Sequence, residues 1–153
     1  YIPVINEEDQ KNNAENILSL FKPLFENLHI TWIGQNLKYD FLVLKWYGVE
    51  LKGKTFDTML AHYVIEPEGR RSMDLLSAQF LGYEPVSIET LIGKKGKNQG
   101  TMRDVPLEQI TEYAAEDADI TLQLKNCFSP LETNVGVFIF PQLLPPMPVN
   151  MVP

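Results

Sequence analysis

From Asn13 the apolar residues Ala14, Ile17, Leu18, Phe21, Phe25 and Leu28 recur at steps of three and four that gather them on one helix face. Pro23 interrupts the run, so a kink or an early stop is expected there, because proline has no N–H to donate and its ring crowds the preceding turn. Residues 30–33, with Trp32, are a brief β-rich run suited to a buried strand. Gly34 and Asn36 mark a strand-to-helix turn. The next helix is expected from an N-cap at Asn36 through Tyr47, with Gly48 as its C-cap. Before all of this, residues 1–5 read as the end of a strand and residues 6–9 as an acidic turn.

The second half is mostly helical in pattern. Thr55 and Phe56 form a short strand leading into a helix over 59–65, which a turn at 67–69 ends. Residues 72–81 carry Met73, Leu76 and Phe80 on one face and stop at Gly82. A short helix is expected over 87–92, then a flexible basic loop, Gly-Lys-Lys-Gly-Lys-Asn-Gln-Gly, over 93–100. Pro106 sits at a first-turn position and opens a long helix. From Ser129 the chain changes character. Six of its eleven prolines lie there, and 129–153 is expected to be an irregular tail or a truncated linker without continuous helix.

Composition narrows the function classes. At 153 residues and 44% hydrophobic content the chain suffices for one domain with a core, here 1–128. A net charge of −7 and a pI near 4.8 argue against a broad basic surface that grips nucleic acid, so any such contact must be local. An acidic balance also fits a carboxylate site for divalent cations, although solubility alone explains most acidic chains. Cys127 is the only cysteine, which leaves no internal disulfide or thiolate zinc cluster and suits a reducing cytoplasm. His29 and His62 have no metal-ligand spacing, and no apolar segment approaches the roughly 20 residues that span a bilayer.

The candidate chemistry lies in two helix starts. Tyr113 and Asp117 are four residues apart, so a phenol and a carboxylate project from one face. On a helical wheel Asp117 falls with Leu107, Ile110, Tyr113, Ile120 and Leu124, whereas Asp119 points away. A carboxylate on a core-facing stripe needs a partner, either a metal ion or a core salt bridge. Asp40 follows Asn36 by the same four residues, in a first turn where the helix dipole favours an ionised carboxylate; a plain N-terminal helix acid is the simpler account. Phosphodiester hydrolysis needs an activated water, stabilised phosphoryl charge and help for the leaving oxygen. Two divalent ions held by carboxylates can supply all three. Tyr113 could orient the attacking water, or simply fill the core; Glu112, Glu116 and Asp119 read as a solvated face.

Four stretches carry a resemblance: Gly34-Gln35-Asn36-Leu37-Lys38-Tyr39-Asp40, Phe56-Asp57-Thr58-Met59-Leu60, Gly96-Lys97-Asn98-Gln99, and Tyr113-Ala114-Ala115-Glu116-Asp117-Ala118-Asp119. In this order they resemble the DEDDy group of 3′-to-5′ exonucleases, in particular the proofreading domains of bacterial family A DNA polymerases. The resemblance covers roughly residues 1 to 128. It implies an α/β, ribonuclease H-like fold with a mixed sheet flanked by helices. It also implies hydrolysis of nucleotides from a single-stranded or frayed DNA 3′ end, with two Mg2+ (or Mn2+) ions as cofactors and a polymerase domain as partner. Asp40 and Asp117 would be metal ligands and Tyr113 the water-orienting tyrosine. Gln35, Asn36, Tyr39 and Arg70 or Arg71 would contact the terminal nucleotides, and Met102 would lie against the bases.

One departure bears on activity. The family's Asp-x-Glu motif, source of two of the four metal-binding carboxylates, occurs nowhere in this sequence. The chain is therefore expected to begin after the strand that carries it, to lack its first strands, to leave a sheet edge exposed and to be impaired in catalysis. A noncatalytic platform beside a polymerase and a ribonuclease D-like RNA exonuclease are the rival readings. The lysine loop fails as a Walker A motif, since Leu91 stands where glycine is needed and Asn98 where serine or threonine is needed. It reads as a guide for single-stranded DNA or as a solvated loop.

Overall fold

The computed structural model describes residues 1–2 and 10–135. The first apolar stripe folds as α1 (Gln10–Phe25), three residues earlier than its pattern suggests, and the helix runs through Pro23 instead of stopping at it. Proline is tolerated because it falls in the last turn, where the ladder resumes at once with Glu26 N–H donating to the Lys22 carbonyl at 2.9 Å. Phe25 then stacks on Trp32, ring centres 5.4 Å apart, and fastens the helix to β1 (Thr31–Gly34). Residues 3–5, read as a strand end, lie outside the described residues.

β1, α2 (Leu37–Trp46) and β2 (Lys54–Asp57) form a β-α-β unit whose strands are parallel, with Thr31 opposite Lys54 and Gly34 opposite Asp57. Parallel strands need such a crossover, because a tight hairpin can only reverse the chain. Gly53 makes the return into β2 possible. Its φ is +92°, and a Cβ there would sit 2.4 Å from the Ile30 carbonyl oxygen. Among the described residues the sheet holds these two strands.

Four further helices follow: α3 (Thr58–Ile65), α4 (Met73–Leu81), α5 (Ile88–Ile92) and, after a 3₁₀ turn at Met102–Asp104, α6 (Leu107–Val135). α6 packs on α3, α4 and β1. The core lies at that junction, where Ala61, Leu76, Ile120, Leu124 and Phe128 are buried together. Each buried Leu or Phe contributes about 1.5–3 kcal/mol. Phe80 meets Phe128 edge to face at 5.0 Å, and the fully buried His62 ring lies against both. The irregular chain expected from Ser129 is instead helical through Pro130 to Val135. The apolar face of α6 continues to Phe128, and that packing carries the helix past its proline. The remainder of the tail, 136–153, lies outside the described residues.

Candidate active site

The turn from β1 into α2 is shaped by residues from β2 and α3. Asn36 occupies the N-cap position of α2, but at φ 63° and ψ 48°, and its side chain makes no capping bond. Asp57 supplies the cap instead. Its Oδ1 accepts from Asn36 N–H at 3.1 Å and its Oδ2 from Leu37 N–H at 2.8 Å. The same carboxylate caps α3, where Oδ1 accepts from Met59 N–H at 2.9 Å and Leu60 N–H at 3.3 Å. Thr58 Oγ lies 3.2 Å from the Gly34 carbonyl oxygen and also against Gln35 Oε1, while Gln35 Nε2 donates to the Arg71 carbonyl at 2.8 Å. Gln35 is thus a brace between three segments, with little of its amide left to meet a ligand.

Asp40 sits in the first turn of α2. Burial pushes its carboxyl above the usual range; a bond from its own backbone N–H opposes this, and the negative charge of Asp57 adds to it. Asp117 projects from α6 into a cavity of about 330 Å³ lined by Ile33, Gly34, Gln35, Met73, Ala118, Thr121 and Leu122. Burial raises its carboxyl as well, a hydrogen bond from the Tyr113 hydroxyl lowers it, and Glu116 and Asp74 raise it again. The Tyr113 phenol is pushed up to about 12, first by burial and then by the charges of Asp117 and Asp74. It is therefore a permanent O–H donor at ordinary pH. The one-face spacing of Tyr113 and Asp117 puts the phenol close enough for each group to shift the other's titration, and the cavity brings Asp117 to the Gly34–Gln35 turn. No described contact joins Asp40 to Asp117.

Of the two arginines, Arg71 is turned inward: its guanidinium donates to the Pro67 carbonyl and lies 4.6 Å from the centre of the Tyr63 ring. Arg70 is exposed, as are Asn36 and Tyr39, while Met102 is partly buried in the 3₁₀ turn. The lysine loop is closed at its base by Gly100 N–H donating to the Ile92 carbonyl at 2.8 Å, and its three lysines face solvent. Asp57 was not singled out as a site residue by the sequence, because its two partners in the α2 turn lie about twenty residues upstream. Glu116, read as a solvated acid, instead accepts from the Tyr83 hydroxyl at 2.5 Å and from Val86 N–H at 3.0 Å. It fastens the segment after α4 to α6 beside Asp117.

The donor set suits a hard cation in type, carboxylate oxygens in partly desolvated surroundings. Among the described residues, however, no three carboxylate, imidazole or thiol groups converge to hold a metal ion. Among the same residues no helix is long and apolar enough to cross a membrane.

Residues 3–131 match the 3′-5′ exonuclease family. The chain is similar to DNA polymerase I of Rhizobium leguminosarum, 37% identical over 149 residues, covering 90% of this chain and 14% of that protein. It is likewise similar to DNA polymerase I of Pseudomonas aeruginosa, 35% identical over 130 residues, covering 81% and 14%. It thus spans about a seventh of these relatives' length. In fold it is similar to the crystal structure of Trypanosoma brucei RNase D, with a TM-score of 0.58 at 21% identity, covering 78% of this chain and 42% of that one. That likeness bears out the ribonuclease H-like architecture. With most of its length matched and its polymerase relatives more than a third identical, this chain belongs to the 3′-5′ exonuclease family, as the exonuclease domain of a DNA polymerase I.

Proposed function

We propose that this domain binds the 3′ end of single-stranded or frayed DNA and hydrolyses its terminal phosphodiester. The observation that carries this reading is Asp117, one helical turn from Tyr113, facing the Gly34–Gln35 turn across the cavity. Asp40 and Asp117 would each offer one carboxylate to Mg2+ or Mn2+, with water and phosphate oxygens completing the shell. When bound, such ions activate water and stabilise charge on the phosphoryl and leaving oxygens, most fully as a pair. Tyr113, held neutral, orients the attacking water through its hydroxyl. Arg70 is free to meet a backbone phosphate, Asn36 and Tyr39 flank the α2 start, and Met102 meets the terminal bases. A frayed end is favoured because unpaired nucleotides cost least to draw out of the stack. The natural partner is the polymerase domain of a longer chain.

The test is nucleotide release from 3′-labelled single-stranded DNA in Mg2+ or Mn2+, with a matching RNA alongside. The proteins compared are this chain, a form extended upstream to include an Asp-x-Glu strand, and the Asp117→Ala variant of each. The extended form is expected to degrade DNA in preference to RNA, and Asp117→Ala to abolish release. An extended form that binds metal yet degrades neither substrate would favour a noncatalytic platform.

A further inference from the structure

Asp57 presents a carboxylate whose bonding is divided unevenly between two helices. Oδ1 receives Met59 and Leu60 from α3 and Asn36 from the α2 turn, whereas Oδ2 receives Leu37 alone. Asn36 is held in the left-handed region, which asparagine adopts more readily than other residues with a Cβ, and its N–H is fixed there by the Asp57 carboxylate. Thr58, the next residue, is fully buried and places its hydroxyl against both the Gly34 carbonyl and the Gln35 amide. Two adjacent side chains therefore fix all four residues of the turn from which α2 departs. That turn sets the direction of Asn36 and Tyr39, the placement of Asp40 one turn on, and the wall that Gly34 and Gln35 give to the Asp117 cavity.

We infer that Asp57, seconded by Thr58, is a positioning residue of the exonuclease site: it sets the Gly34–Leu37 turn so that the 3′-terminal nucleotide meets α2 in one geometry. Its role is exerted through the backbone, since both of its oxygens are engaged by backbone N–H groups, three on Oδ1 and one on Oδ2. The inference rests on the exonuclease reading above and adds to it the residues that hold the site in shape.

The uneven division makes the claim testable. Asp57→Asn keeps an acceptor at Oδ1, and with it the cap of α3, but replaces Oδ2 by an NH2 group that cannot accept from Leu37 N–H. Binding of a fluorescein-labelled oligothymidylate with a free 3′-hydroxyl is measured in Ca2+, so that the readout does not depend on turnover. An oligonucleotide with a 3′-phosphate serves as the comparison. Thermal unfolding and amide exchange at Leu37 are followed in parallel.

The expected result is an Asp57→Asn chain that melts within a few degrees of the parent, exchanges Leu37 faster, and binds the 3′-hydroxyl end about tenfold more weakly. Its preference over the 3′-phosphate end should shrink in step. If the parent binds with 3′-end preference and Asp57→Asn binds equally well, the positioning role is wrong and the exonuclease reading survives. If the parent itself shows no 3′-end preference, the exonuclease reading falls and takes this inference with it. Should Asp57→Asn fail to fold, Thr58→Val against Thr58→Ser applies the same criteria: a loss of 3′-end binding in Val that Ser restores supports the role, and equal binding overturns it.

Discussion

Burial, Glu116 and Asp74 all push the Asp117 carboxyl above the usual carboxylate range, and only the Tyr113 hydroxyl pulls it down. A carboxyl raised on folding favours the folded state when protonated. That contribution is complete below the unfolded value near 3.8 and is lost as pH rises through the folded one. Once the carboxyl is ionised, its charge therefore works against the fold. Asp117→Asn is expected to abolish nucleotide release yet raise the melting temperature at pH 7 by roughly one to two degrees, the shift that about 0.5 kcal/mol gives at this size after solvent screening. Calorimetry at pH 7 and at pH 3 checks it, since the gain should vanish at the acid end. Tyr113→Phe removes the one lowering influence, so the Asp117 carboxyl should titrate at higher pH when followed by carbon NMR; a downward move would contradict that influence. At this scale the sequence was legible where partners are four residues apart, as Tyr113 and Asp117 are. It was illegible for the bonds of Asp57 to the α2 turn and for those of Glu116, whose partners lie about twenty to thirty residues away and meet them only after folding.

Among the elements, turn chemistry and helix periodicity transferred well from sequence to structure, and proline misled twice. α1 and α6 both contain a proline that a propensity argument treats as a stop. In α1 the proline falls in the last turn, where it interrupts little, and in α6 one lost N–H costs less than abandoning the apolar face that runs to Phe128. Gly53 is the opposite case, a position where backbone geometry allows no substitute. Gly53→Ala puts a Cβ against the Ile30 carbonyl at a φ of +92° and should destabilise by about 1–3 kcal/mol. Gly48→Ala, also at positive φ but with open space around it, should cost less, about 1 kcal/mol. Denaturant midpoints of the two variants separate the steric from the conformational part. Phe128→Ala, emptying the aromatic junction with Phe80 and His62, should cost about 3–5 kcal/mol.

For the molecule as a whole, a chain of net charge −7 cannot hold DNA by charge alone. If Arg70 and one or two other groups neutralise phosphates, binding should weaken with salt at a slope of about −1.4 to −2.1, given roughly −0.7 per phosphate on single strands. Affinities measured from about 50 to 200 mM KCl would show it. A slope steeper than about −4 would point to a wider basic footprint, with the lysine loop engaged. The α/β class and the family were readable because they rest on ordered local motifs.

α6 serves two masters: its stripe presents Tyr113 and Asp117 at one end and Ile120, Leu124 and Phe128 to the core further along. A helix turns about 100° per residue, so one residue gained or lost between 117 and 120 would swing the acid a quarter-turn or more away from the cavity while the core held still. Length changes among descendants of this chain should therefore collect in the 93–100 loop and be purged from the stretch between 113 and 128. In that stretch inheritance can alter letters but not their count.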